Sequence, residues 1–231
     1  MKIFYIVFFA VGLTSQEIVD ETIQTQVDAS NISIELQKRI DSLDVESKKI
    51  IEDTECEVNV DDDGLVSGNL NAKITIIAYE SLTCSHCADF HKDVYPQLKK
   101  DYLDTGLAKI EFRHFPLDVA AFNASKIAQC KQDQSLEILK SLYSNQKEWI
   151  KGNTIELVNE NLKKFIKKAG FEINFEKCIN DKKIEDFVLN DRIEGASKFK
   201  VNATPTIIIN NEKFEKSLNY KNLKKTLEKL I

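Results

Sequence analysis

The chain has 231 residues, 42% of them hydrophobic and 30% charged, a composition that allows one ordinary domain, alone or with an insertion or an arm, and excludes a disordered polymer. Its 32 lysines and arginines are interspersed with 37 acids, for a net charge of -5, so no basic surface for nucleic acid is expected. Only seven glycines and three prolines occur, and each proline is expected to have a positional reason.

In chain order, MKIFYIVFFAVGLTSQ has one lysine, an apolar run, then small and polar residues, with Ala10-Val11-Gly12 as a small-x-small cleavage site. That pattern predicts a signal peptide over 1–15 and an exported protein; an uncleaved anchor and a buried first strand are the alternatives. No cysteine follows closely enough to indicate a lipid anchor. Residues 16–55 are acidic, without glycine or proline, yet Leu36, Ile40, Leu43 and Ile50 recur in steps of four and three, with Ser47 filling one place. The spacing is that of a helical seam. Ile18, Ile23, Val27 and Ile34 form a weaker stretch in shifted phase. A surface helix folded back on its own domain, a self-associating stalk and a disordered arm all fit.

From residue 57 the pattern changes. VNVDDDGLVSGN predicts a short strand and a turn, KITIIAYE a β-branched strand, Cys84 to about Tyr102 a helix, and AKIEFRHFP a second strand stopped by Pro116. Such a β-α-β unit places its two strands parallel. Helical periodicity then runs from 119 to about 196, after which ATPTIIIN, the Asn210-Asn211 turn and EKFEK predict a hairpin, and NYKNLKKTLEKLI a closing amphipathic helix.

The chemistry concentrates in AYESLTCSHCADFH, residues 78–91, where Cys84 and Cys87 enclose Ser85 and His86. A cysteine in the first turn of a helix meets unpaired backbone N–H groups and the positive end of the helix dipole, both of which favour the thiolate. Cys87, one turn later, is within reach to close or open a disulfide, and the His86 imidazole is expected to stabilise the Cys84 anion further. A thiol lowered by roughly three units favours its anion by about 4 kcal/mol, which makes the corresponding disulfide the stronger oxidant. Thr204-Pro205 opens an apolar strand, where a proline is normally excluded. A cis bond there, with the Thr204 backbone free to pair with a substrate strand beside the cysteines, is the expectation.

Over roughly residues 64–231, GNLNAKITIIAYESLTCSHCADFH, DTGLAKIEFRHFPLD, NQKEW and VNATPTIIIN resemble the bacterial DsbA family of thiol:disulfide oxidoreductases. The resemblance implies an α/β thioredoxin fold with an inserted helical domain, here with an N-terminal helical extension. The segments are then 1–15, signal peptide; 16–55, helical arm; 56–118, first part of the thioredoxin domain; 119–196, helical insert; and 197–231, second part with the cis-proline loop. It also implies Cys84 as nucleophile, Cys87 as resolving thiol, and a structural disulfide between Cys130 and Cys178 in the insert, with two buried free thiols as the alternative for that last pair. Three features depart from the family pattern. Ser85 stands where members often have proline, and Asn210-Asn211 where Asn-Gly is common. Ala78 stands where a glutamate often lies six residues before the first cysteine; Glu80, two residues on and on the same strand face, is the candidate replacement acid, against a carboxylate facing solvent.

Cys56 is left as an odd thiol, inert or linking two arms. His91 and His114 show no compelling partner in the sequence, and Trp149 is expected in the core of the insert. The resulting expectation is an exported enzyme that exchanges disulfides with cysteine-containing client proteins and needs no organic cofactor. A membrane redox partner and a homo-oligomer formed through the arm are expected alongside it. The arm inclines the reading to an isomerase, with a DsbA-like oxidase as the alternative. A copper- or zinc-binding module using Cys84, His86 and Cys87 is the rival from another class.

Overall fold

The computed structural model describes residues 65–231. The expected signal peptide, the arm over 16–55 and Cys56 lie outside the described residues. Strands β1 (Val66–Gly68), β2 (Ile74–Glu80), β3 (Ala108–His114), β4 (Thr206–Ile209) and β5 (Glu212–Lys213) form one sheet in the order β1-β3-β2-β4-β5. β2 runs parallel to β3, from Ile74 opposite Ala108 to Glu80 opposite His114, and antiparallel to β4. The β-branched ITIIAYE run is thus the central strand, covered on both faces, as near-continuous apolar strands are. Ile74, Ile76 and Ala78 meet one core, and Ile77 and Tyr79 the other.

Between β2 and β3 the chain is helical from Ser85 to Leu103, as the sequence predicts, but not as one regular α-helix. α1 (Ser85–Asp89) and α2 (Tyr95–Leu98) are each followed by a wider π turn, Phe90–Val94 and Lys99–Leu103. Pro96 accounts for the first: it has no N–H to continue the ladder and its ring crowds the carbonyl four residues back. The N–H of Tyr95 bonds instead to the carbonyl of Phe90, five residues back. Phe90, Val94, Tyr95 and Leu98 still form a continuous buried stripe against the sheet.

The helical block between β3 and β4 comprises α3 (Val119–Gln129), α4 (Ser135–Ser144), α5 (Gln146–Trp149), α6 (Ile155–Lys168), α7 (Phe175–Ile179) and α8 (Lys182–Phe199). Asp118 caps α3 by accepting from the Ala121 N–H at 2.7 Å, and Asp181 caps α8. Trp149 is fully buried, its Nε1–H donating to the Leu142 carbonyl at 3.0 Å. A disulfide joins Cys130, just past α3, to Cys178 of α7, with Cα atoms 5.5 Å apart. β4 and β5 turn at Asn210 and Asn211, both left-handed at φ 46° and 69°, as a two-residue hairpin requires. Asn210 brackets Thr75 of β2 through both its N–H and its side-chain oxygen. α9 (Tyr220–Leu227) closes the chain, with Leu223 and Leu227 buried.

On the second face Gly195 of α8 lies against Tyr79; a Cβ there would sit 2.7 Å from Tyr79 Cε1. The Tyr79 ring is fully buried between Phe115 and Phe199, with centroids at 6.3 and 6.0 Å. Alanine would gain about 1 kcal/mol of helix propensity, but overpacking a closed core costs about 1–3 kcal/mol. Gly195→Ala is therefore expected to destabilise the protein, read as a lower urea midpoint with an unchanged slope.

Candidate active site

The site forms where β2 ends. Ser81, Leu82 and Thr83 turn the chain, the Cys84 N–H bonds to the Ser81 carbonyl at 3.0 Å, and Cys84 becomes the extended residue immediately before α1. This turn is held from outside. Thr83 Oγ1 donates to Asp118 at 2.6 Å, and the Leu117 N–H donates to the fully buried Ser81 hydroxyl at 3.3 Å. Gln146, the first residue of α5, donates its amide to the Leu82 carbonyl at 2.7 Å and the Cys84 carbonyl at 3.0 Å. The helical insert therefore grips the backbone of the cysteine loop directly.

The two cysteines differ sharply. Cys84 is partly exposed, and its thiol is lowered to about 5. The hydrogen bond from the Cys87 thiol is the largest single cause; Thr204 and the backbone N–H groups of Cys87 and His86 add to it against the cost of burial. Cys87 is fully buried, and burial, its bond to Cys84 and the charge of Glu80 push its thiol far above the ordinary range. One sulfur is an accessible anion and the other a sheltered proton donor. Thr204, joined to Pro205 by a cis peptide bond, faces them, its carbonyl oxygen 3.4 Å from Cys84 Sγ.

His86 contributes differently from expectation. Its ring is 82% exposed and lies 3.8 Å from the Asp89 carboxylate, because successive side chains on a helix point about 100° apart. It is the His86 backbone N–H, not the imidazole, that favours the Cys84 anion. Ser85 is likewise exposed at the rim. The copper or zinc alternative loses its basis for the same reason: His86 points to solvent while Cys87 points into the core. Among the described residues no group of three or more histidine, cysteine, aspartate or glutamate side chains could hold a metal ion.

Glu80 does not face solvent. Its side chain is 2% exposed on the Ala78 face of β2, and Oε2 lies 2.7 Å from His91 Nε2. His91, which the sequence left without a partner, is thus the partner of the candidate acid. Its ring stacks on Tyr143 of α4 at 4.2 Å, with Phe112, Tyr95 and Phe90 at 5.0, 5.6 and 5.7 Å. Burial first, and then the Glu80 charge, raise the Tyr143 phenol well above its usual value. A sequence signal for His91 existed: it lies four residues after Cys87, within the buried stripe of Phe90, Val94 and Tyr95. Nothing local marked Tyr143, and Gln146, though it lies in the family-like NQKEW, had no role assigned to it. His114 is the Cα partner of Glu80 across the sheet; burial lowers its imidazole to about 4, so it is neutral near pH 7.

The sequence profile of the thioredoxin family matches residues 60–229. The chain belongs to the thioredoxin family. The crystal structure of alpha-DsbA1 of Wolbachia pipientis is 32% identical, with a TM-score of 0.64 over 72% of this chain and 89% of that one. A Rickettsia prowazekii protein provisionally named a protein-disulfide oxidoreductase is 26% identical over 80% of this chain and 68% of its own length. Disulfide bond formation protein D of Bacillus subtilis is 25% identical over 71% of this chain and 75% of that protein. Within the family, the chain is a thiol:disulfide oxidoreductase of the DsbA-like kind.

Proposed function

We propose that the chain is an exported enzyme that exchanges disulfides with the cysteines of other exported proteins through Cys84 and Cys87. The observation that supports this most directly is the pairing of a partly exposed Cys84 anion with a buried Cys87 thiol beneath it. In the reductive direction the Cys84 thiolate attacks a client disulfide, one client sulfur leaves as thiolate, and a mixed disulfide forms. Cys87 then passes its proton to Glu80 and attacks Cys84 Sγ, releasing the second client thiolate and closing the Cys84–Cys87 disulfide. In the oxidative direction a client thiolate attacks Cys84 Sγ, and Cys87 leaves and takes up a proton. A second client thiolate then attacks the client sulfur and expels Cys84. The Thr204 carbonyl lies where an extended client segment beside Cys84 would bond to it.

The described site supports the oxidative direction, since a thiol near 5 is a good leaving group and its reduced form is stabilised. Continued oxidation calls for a re-oxidising partner, proposed to lie in the membrane. The isomerase direction is supported by a different observation, the apolar seam of Leu36, Ile40, Leu43 and Ile50, which would hold several sites around one client. Export is supported by the leader-like sequence pattern of residues 1–15. Solution mass with and without residues 16–55, beside refolding of reduced and of scrambled ribonuclease, decides between the two. An oligomer that rescues scrambled ribonuclease only with the arm present is the isomerase outcome. A monomer that oxidises reduced ribonuclease but leaves the scrambled form inactive is the oxidase outcome.

A further inference from the structure

We propose that His91 is the positioning residue for proton transfer at Cys87: its Nε2–H holds Glu80 Oε2 and turns the second carboxylate oxygen towards the buried thiol. The inference deepens the reading of Glu80 as proton acceptor and rests on it. A carboxylate that is to accept a proton must start ionised, and an ionised carboxylate only accepts hydrogen bonds, so in that state His91 Nε2 is the donor of the 2.7 Å contact. That contact occupies one carboxylate oxygen. The other, Oε1, is buried without a hydrogen-bond partner, as is His91 Nδ1. An unpartnered carboxylate oxygen in a closed site is costly, and it is also an acceptor with capacity for one proton. The Glu80 charge is felt at Cys87, so the carboxylate lies near the resolving thiol, with the Tyr143 phenol as its other polar neighbour.

Position along the chain supports the same geometry. Cys87 and His91 are four residues apart on the helical run, so both side chains leave it on the face that meets the end of β2. Glu80 closes the triangle from the sheet. Four aromatic rings around His91, with Tyr143 stacked flat against it, leave the imidazole little freedom to turn Nε2 elsewhere. The titratable groups facing the pair are Cys84 and Cys87 at the start of the helix, Tyr95 further along it, His114 on β3, and Tyr143 on α4; Lys140 lies over the ring of Tyr95. In the step itself the Cys87 S–H proton passes to Glu80 as Cys87 Sγ bonds to Cys84 Sγ and the client leaves as thiolate. The two electrons of the new disulfide are balanced by the released client sulfur.

The test measures how fast a mixed disulfide between Cys84 and a small thiol resolves, across pH, in intact protein. Glu80→Gln is expected to slow resolution by about 10²-fold. His91→Phe keeps the stacked ring but removes the donor; about tenfold slower resolution is expected, with the acid limb of the rate profile displaced upwards by about one unit. His91→Gln, which restores an N–H, should recover part of the rate. The Cys84 titration should keep its midpoint near 5 in both His91 variants, and Glu80→Gln with His91→Phe should be no slower than Glu80→Gln alone. Multiplying slowdowns in that double variant would overturn the inference, as would a normal profile in His91→Phe while Glu80→Gln is slow. A normal rate in Glu80→Gln would instead remove the reading beneath it. If His91→Phe does not fold, the ¹⁵N shifts of His91 in the unsubstituted protein decide: protonated Nε2 supports the inference, and bare Nε2 overturns it.

Discussion

Cys84→Ala is expected to lose disulfide exchange altogether, whereas Cys87→Ala keeps the first step and accumulates covalent adducts with its clients, visible on non-reducing gels. The difference follows from the two environments, since only Cys84 is both partly exposed and held as an anion. A sharper form of the result lies in its pH dependence. With Cys84 at about 5, against 9.0 for the unperturbed thiol, nearly all of it is ionised at pH 6, where an ordinary thiol is an anion about once in a thousand. Lower basicity also weakens the nucleophile, by roughly 60-fold over that interval. The net expectation, towards a small dipyridyl disulfide, is a rate about tenfold above an ordinary thiol at pH 6 and clearly below it at pH 9. A rate that climbs with pH through 8 and 9 would show an ordinary thiol. Stability carries the same sign. Between the native value near 5 and the unfolded value near 9 the native reduced state binds fewer protons. The reduced protein therefore gains stability over the oxidised one as pH rises through that window, and this contribution disappears as pH falls through 5. Urea midpoints of the two redox forms at pH 4 and 7 check it.

Replacing both Cys130 and Cys178 by alanine is expected to give the largest loss of stability. The bond closes a span of 48 residues, and releasing it frees an unfolded chain whose entropy corresponds to about 4 kcal/mol. For a chain of this size that corresponds to a fall in Tm of about 10 °C. Alanine leaves no buried hydroxyl where Cys178 is 1% exposed. The pair lies between α3 and α7, so the alkylation profile of Cys84 at low temperature is expected to be unchanged. Calorimetry of the oxidised double variant, beside that profile, separates a structural bond from one that tunes the redox pair.

Much of the fold was legible because its signals are local. The β-branched run ending at Glu80, Pro116 closing the next strand, the Asn210-Asn211 turn and the C-x-x-C each depend on a few neighbouring residues, and together they allow few topologies. The contrast between Cys84 and Cys87 was legible for the same reason, since helix start and spacing suffice to favour one thiolate and to set the other thiol one turn away. Within the helix after Cys84, the local pattern predicted the buried stripe but not the two wide turns, because periodicity of 3.6 residues does not reveal where Pro96 interrupts the ladder.

What only the tertiary structure decided are the contacts that cross between distant segments. Whether His86 helps through its ring or its backbone depends on which way the side chain leaves the helix, and the ring leaves outward. Glu80 could equally have faced water at the strand end; it is buried because the helical run and α4 close over that end of the sheet, bringing His91 and Tyr143 to it. Gln146 lies 62 residues from Cys84 yet holds its carbonyl. Residue type and spacing singled out the cysteine pair from the chain alone. Burial and direction, which depend on what the rest of the molecule places alongside, decided which polar groups serve that pair.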